Sequence, residues 1–80
     1  MVRVLAFARV REVLGFGQRD IDLPVDATAS DAWDTLADAE GSLRSLAATT
    51  RFARNGVLVP ANAVLREGDE LALLPPVGGG

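Results

Sequence analysis

An α+β roll, one sheet packed on one main helix, is the fold class this sequence predicts. Three observations predict it. The chain has 80 residues, enough for one small domain around one core. Its single long amphipathic stretch, residues 28–41, lies between short segments that are β-branched or alternate polar and apolar. The first and last of those segments are the most apolar, which places them centrally and side by side.

Each element has its own signal. Residues 2–7 (VRVLAF) are short, β-branched and partly alternating, as a strand is. Residues 9–14 (RVREVL) offer one or two helical turns, and Gly15 follows where a helix end favours glycine. Gly17 and Gln18 begin a turn. Asp20, Ile21, Asp22 and Leu23 then alternate as a half-buried strand does, and Pro24 ends it. A hairpin-like return to the first strand is expected, lengthened by the helical insert. In the main helix Thr28 is the expected N-cap, with Asp31 three residues on in a capping-box position. Ala29, Ala32, Trp33, Leu36 and Ala37 form the apolar stripe, so Trp33 is a core residue rather than a stacking platform. Asp31, Asp34 and Asp38 fall on the opposite, solvated face, without the burial a catalytic carboxylate pair needs. Gly41 is expected to stop this helix in the C′ position, and Leu43 and Leu46 to continue as a second short turn.

Asn55-Gly56 between residues 52–55 and 57–59 is the strongest two-residue hairpin signal available. Glu67-Gly68-Asp69 is a further turn, and residues 70–74 are the last strand. One helix thus crosses one mixed sheet of four to five strands, with a short helix after strand 1. That is a roll of the β-grasp, ubiquitin-like kind. Residues 1–74 are read as the domain and residues 75–80 as a flexible C-terminal tail.

Composition closes off most chemistry. There is no Cys, His, Lys or Tyr. Disulfides, thiolate or Ser–His nucleophiles, Schiff bases and the usual zinc and copper sites are therefore excluded. No metal site or bound cofactor is expected. The formal charge of −3 argues against nucleic-acid binding. No apolar run approaches a membrane span, and residues 1–5 lack the layout of a signal peptide, so a cytoplasmic protein is expected.

What remains is the tail. Pro75 and Pro76 follow the last strand directly, donate no ladder hydrogen bond and favour polyproline II. A stiff stalk is expected, with Val77 as a foothold. Gly78, Gly79 and Gly80 carry no side chains and fit a narrow channel in a partner. Gly80 is read as the C-terminus, so its α-carboxylate is the one unusual reactive group, inert until activated. A frayed, idle end is the plainer alternative.

Strand parity supplies docking residues. Arg3, Leu5 and Phe7 share a side of strand 1, and Arg3 favours water. Leu74 shares parity with Glu70 and Ala72, and Leu58 opposes Val57 and Val59. Phe7, Leu58 and Leu74 are therefore read as an exposed apolar patch for a partner, against the competing reading that one or more are core.

The chain resembles the small subunit of molybdopterin synthase (the MoaD family), a ubiquitin-like sulfur carrier. The resemblance rests on residues 4–15 (VLAFARVREVLG), on Asn55-Gly56-Val57-Leu58-Val59, on Glu67-Gly68-Asp69-Glu70-Leu71 and on Leu74-Pro75-Pro76-Val77 before the closing glycines. Terminal Gly-Gly is common to ubiquitin-like carriers; the Pro-Pro-Val-x-Gly-Gly approach is narrower, and Gly78 stands at x where other members can carry a bulkier residue. The resemblance implies a non-catalytic, sulfur-donating subunit in molybdenum cofactor biosynthesis. An E1-like enzyme spends ATP to adenylate Gly80, and a persulfide donor converts it to a thiocarboxylate. The tail then enters the large synthase subunit, where the active site lies, and sulfur passes to cyclic pyranopterin monophosphate to build the dithiolene. It further implies partner contacts by Phe7, Leu58 and Leu74, a salt bridge from Arg11, and a heterotetramer with two large subunits. Arg11 as an ordinary solvated helix charge stays open. So do carriers for thiamine, tRNA thiolation or cysteine synthesis, a protein modifier joined to lysines, and a plain interaction module.

Overall fold

The computed structural model describes residues 1–76. The elements are β1 (Val2–Ala6), α1 (Ala8–Leu14), β2 (Gln18–Ile21), α2 (Ala29–Ala39), a 3-10 helix (Gly41–Leu46), β3 (Arg51–Arg54), β4 (Val57–Val59) and β5 (Glu70–Leu74). All five strands join one sheet in the order β2-β1-β5-β3-β4. The apolar first and last strands are neighbours, as expected, and run parallel, with Val4 opposite Leu71 and Ala6 opposite Leu73. A parallel pair needs a long crossover, and the chain through α2 supplies it. The other pairings are antiparallel.

One face of the sheet is the core floor. Val2, Val4 and Ala6 of β1 and Leu71 and Leu73 of β5 are buried there. Ala29, Ala32, Trp33, Leu36 and Ala37 of α2, the apolar stripe read from spacing, pack against them. Trp33 reaches Phe52 of β3 edge-on, with ring centroids 6.2 Å apart, a favoured aromatic geometry.

The start of α2 is fully capped. Thr28 Oγ1 accepts from the Asp31 N–H (3.1 Å), and the Asp31 carboxylate accepts from the Thr28 N–H (2.9 Å). The Ala29 and Ser30 N–H groups donate to the carbonyls of Ala63 and Ala61. Donors that a helix start leaves orphaned thus tie α2 to the loop before β5.

Asn55 and Gly56 both have positive φ, 51° and 85°, the conformation of a type I′ hairpin turn. Asn55 has a second task. Its side-chain amide donates to the Asp69 carboxylate (3.0 Å), and its Oδ1 accepts from the Glu70 N–H (2.9 Å). The hairpin turn therefore holds the entry to β5. That hydrogen bond from Asn55, followed by one from the Arg66 N–H, holds the Asp69 carboxyl below the usual carboxylate range against the opposing effect of burial, with lesser help from the charges of Arg54 and Arg66.

One expected boundary differs. The second strand covers Gln18–Ile21 rather than residues 20–23, and Pro24 does not end it. β1 dictates this: Leu5 pairs with Gln18 and Val2 with Ile21, so Asp22 and Leu23 have run past the start of β1 and find no ladder. Gly41 does follow the C-cap in the C′ position expected, but without a positive φ. Glu40 is the C-cap of α2, and Gly41 opens the 3-10 helix. Burial of Leu43 within that helix draws the chain onto the core instead of away from it. Among the described residues, no helix is long and apolar enough to cross a membrane.

Candidate functional site

The helices cover one face of the sheet and leave the other open. Pairing register assembles a row across that open face: Leu5 beside Ala72, Ala72 beside Ala53, Ala53 beside Leu58. Leu58 stands 61% exposed at the β4 edge. Leu5, Ala72 and Leu74 are half-buried, and Ala53 is buried. Leu74 lies one step along β5, opposite Arg51 of β3. Phe7 follows β1 with the parity of Leu5 and is 42% exposed. Phe7, Leu58 and Leu74 therefore share the open face with Leu5 and Ala72. A second apolar spot, with Met1, Val25 and Val64 exposed, lines a cavity of about 230 Å³ elsewhere on the surface, bordered by Arg66 and Glu67 rather than by the tail.

The corner at Phe7 is sharp. Phe7 is the extended N-cap of α1, without a side-chain cap, and Ala8 follows at φ 49°. A left-handed alanine costs about 1 kcal/mol, so the turn out of β1 is held by its surroundings. One helical turn on, the Arg11 N–H donates to the Phe7 carbonyl (3.3 Å), which puts Arg11 on the same side of α1 as Phe7. Arg3, Arg9 and Arg44 pair with Asp20, Glu12 and Asp38. Among the described residues Arg11 has no such carboxylate; its guanidinium lies against Gly17.

Pro75 and Pro76 are exposed and continue directly from β5. Val77, Gly78, Gly79 and Gly80 lie outside the described residues. Pro76 also borders an open groove of about 730 Å³ between residues 47–52 and residues 58–61. The tail thus departs beside the apolar row, from a strand paired on both sides.

Leu5, Ala53, Ala72 and Arg51 belong to this face but were not picked out from the sequence. The signal existed. An Asn-Gly two-residue turn sets Arg54 opposite Val57, and counting outward sets Ala53 opposite Leu58. The register of β3 on β5 could not be counted that way, because 15 residues separate them between Arg54 and Glu70.

The ThiS family model matches residues 4–80. The molybdopterin synthase sulfur carrier subunit of Drosophila erecta is 39% identical over 82 residues, covering 99% of this chain and 90% of that one. The Arabidopsis thaliana protein of the same name is 32% identical over 79 residues, with coverages of 99% and 82%. The crystal structure of the Haloferax volcanii protein SAMP1, small archaeal modifier protein 1, superposes with a TM-score of 0.84 at 34% identity, covering 99% and 98% of the two chains. These likenesses span the β-grasp domain and run through the closing glycines, and this chain belongs to the ThiS family of ubiquitin-like proteins.

Proposed function

We propose that the chain is the sulfur carrier subunit of a molybdopterin synthase, acting in molybdenum cofactor biosynthesis through Gly80. The observation that carries this reading is a family match extending to residue 80, with relatives along the whole chain that bear that name. The composition agrees: with no Cys, His or Lys, the chain has no thiolate, imidazole or amine side chain of its own, and this reading places the chemistry on the Gly80 carboxylate. An activating enzyme uses ATP to join AMP to the Gly80 carboxylate and releases pyrophosphate. The outer sulfur of a persulfide donor then displaces AMP to form an acyl disulfide, and a second thiol of the donor cleaves its S–S bond, leaving a thiocarboxylate on Gly80 and a disulfide on the donor. A thiocarboxylate is a good nucleophile without help from a neighbouring base, and Gly79 and Gly80 place no side chain in the way. The carrier docks on the large synthase subunit through Phe7, Leu58 and Leu74, with Arg11 on the rim. Pro75, Pro76, Val77 and Gly78 carry the end of the chain to the acceptor, cyclic pyranopterin monophosphate. The large subunit holds the active site, and two carriers and two large subunits form the assembly. The carrier itself binds no cofactor.

A second reading has its own support. The likeness to a small archaeal modifier protein favours a modifier whose Gly80 is joined to lysines of other proteins. Both readings begin with adenylation, and the product separates them. The test is the intact mass of the untagged chain after incubation with activating enzyme, ATP and a sulfur donor. An increase corresponding to one oxygen-to-sulfur exchange, mapped to Gly80 and lost on transfer to the large subunit with its pterin substrate, is the expected result. An unchanged mass together with Gly80–lysine adducts on other proteins refutes the carrier reading in favour of the modifier.

A further inference from the structure

The geometry points to Gly17 as a positioning residue: its missing side chain makes the bed on which the Arg11 guanidinium lies, and so aims that cation at an acidic group of the docking partner. The inference rests on the carrier reading for its partner, the large synthase subunit.

Among the described residues, the other glycines have an evident backbone reason or free space. Gly15, Gly56 and Gly68 sit at positive φ, where a side chain is strained. A Cβ added at Gly15, Gly41, Gly56 or Gly68 would meet nothing within 4 Å. Gly17 is different on both counts. Its φ lies outside the left-handed region, so other residues can adopt its backbone. Yet a Cβ there would stand 3.2 Å from Arg11 Cζ, 3.3 Å from Nε and 3.5 Å from Nη1. All three near atoms belong to one flexible side chain. Substitution at Gly17 therefore displaces the guanidinium, not the fold.

The position of Arg11 makes this consequential. Among the described residues it has no ion-pair partner, a state it shares with Arg19, Arg51, Arg54 and Arg66 while Arg3, Arg9 and Arg44 have one each; its place beside the apolar face sets it apart. It lies one helical turn from Phe7, at the end of β1 that borders the apolar face. An exposed guanidinium on a long stem loses much rotamer freedom when it is fixed. Laying it on the α1–β2 loop before the partner arrives removes part of that loss and presents the planar donors that carboxylates accept. The partner this fits has an apolar pocket for the sheet face and an Asp or Glu at its rim.

The test compares wild type with Gly17→Ala, Gly17→Val, Arg11→Ala and the Gly17→Val/Arg11→Ala double variant. Affinity for the purified large subunit is measured at low and high salt. Thermal midpoints of the free chains and the Arg11 Nε–H resonance are followed by circular dichroism and NMR. Arg11→Ala is expected to weaken binding two- to fivefold at low salt, the range of an exposed ion pair, with the difference fading at high salt. Gly17→Val should match it, Gly17→Ala should fall between, and the double variant should be no weaker than Arg11→Ala alone. The midpoints should be unchanged, and the Nε–H resonance should shift in both Gly17 variants. The inference is overturned if Arg11→Ala binds like wild type, if Gly17→Val does so, if its loss adds to that of Arg11→Ala, or if the resonance stays put. Absence of binding by wild type refutes the carrier reading instead, and the resonance in the free chain still decides whether Gly17 sets Arg11.

Discussion

Asn55 carries two loads that a pair of substitutions can separate. Its backbone sits at φ 51° in the hairpin turn, and its side chain ties that turn to Asp69 and Glu70 at the start of β5. Asn55→Gly keeps the backbone unstrained but removes both side-chain hydrogen bonds. At about 1 kcal/mol for each, discounted because the site is exposed, it should cost about 1–1.5 kcal/mol. Asn55→Ala loses the same bonds and also forces a Cβ into the left-handed region, adding about 1 kcal/mol, for a total of about 2–2.5 kcal/mol. The assay is urea denaturation followed by the fluorescence of Trp33, the only tryptophan, at pH 7 and near pH 2.5. The pH arm follows from Asp69. Its folded pKa is depressed, chiefly by the hydrogen bond from Asn55, so its stabilisation is present above its unfolded pKa and lost as pH falls through the folded one. The gap between wild type and Asn55→Gly should therefore narrow in acid without closing, because the Glu70 N–H bond to Asn55 does not titrate. A gap that is equal or wider in acid would refute the claim that Asn55 acts through Asp69. Equal losses for Gly and Ala would refute the conformational share.

Leu58→Asp should weaken docking to the large synthase subunit at least tenfold, since it places a charge at the β4 edge of the apolar face, where the most exposed leucine of the row stands. Its exposed position should hold the stability loss below about 1 kcal/mol; titration calorimetry beside a thermal melt checks both, and undiminished binding removes Leu58 from the interface. Ala8→Gly should stabilise the chain by up to about 1 kcal/mol by relieving φ 49°, where an ordinary helix position would lose that amount. A lower urea midpoint for this variant would show that the turn after Phe7 is not strained.

What was legible in the sequence had a local cause. The capping box of Thr28 and Asp31, the stripe through Trp33, the Asn55-Gly56 turn and the outward parity of Phe7 each depend on residues within a few positions of one another. The errors arose where a distant element decides. β2 ends at Ile21 because β1 begins at Val2, a limit that the alternation of residues 20–23 does not contain. Gly41 does follow the end of α2 as expected, but the burial of Leu43 decides the path of the chain beyond it. The Arg11–Gly17 contact was invisible for the same reason. It joins a helix to a loop across the turn at Gly15, and Gly17 by itself resembles any loop glycine. The chemistry proposed for Gly80 came from composition and from resemblance rather than from any cluster of side chains.

The place of β5 in the sheet bears on how such a tail can be used. On the carrier reading the chain end would pass between two enzymes, and the strand behind it would take any pull. An edge strand has one ladder and frays readily. β5 has two, parallel with β1 and antiparallel with β3, and its Leu71 and Leu73 are fully buried. Its other end is tied as well, since Arg3 N–H donates to the Asp69 carbonyl and Asn55 grips Asp69 and Glu70. Freeing β5 thus means breaking both ladders and exposing two core leucines, at about 2–5 kcal/mol for each leucine if its truncation is the guide. That approaches the whole stability of a domain this small. Pro75 then removes the ladder donor immediately after Leu74, so pairing stops at a defined residue and does not creep into the tail. The same sheet order brings the open face of β5, with Ala72 and Leu74, between Leu5 and Ala53. A partner that grips this face therefore holds the strand from which the tail departs, and the distance from grip to Gly80 is set by the few residues after Leu74 rather than by the flexibility of the domain.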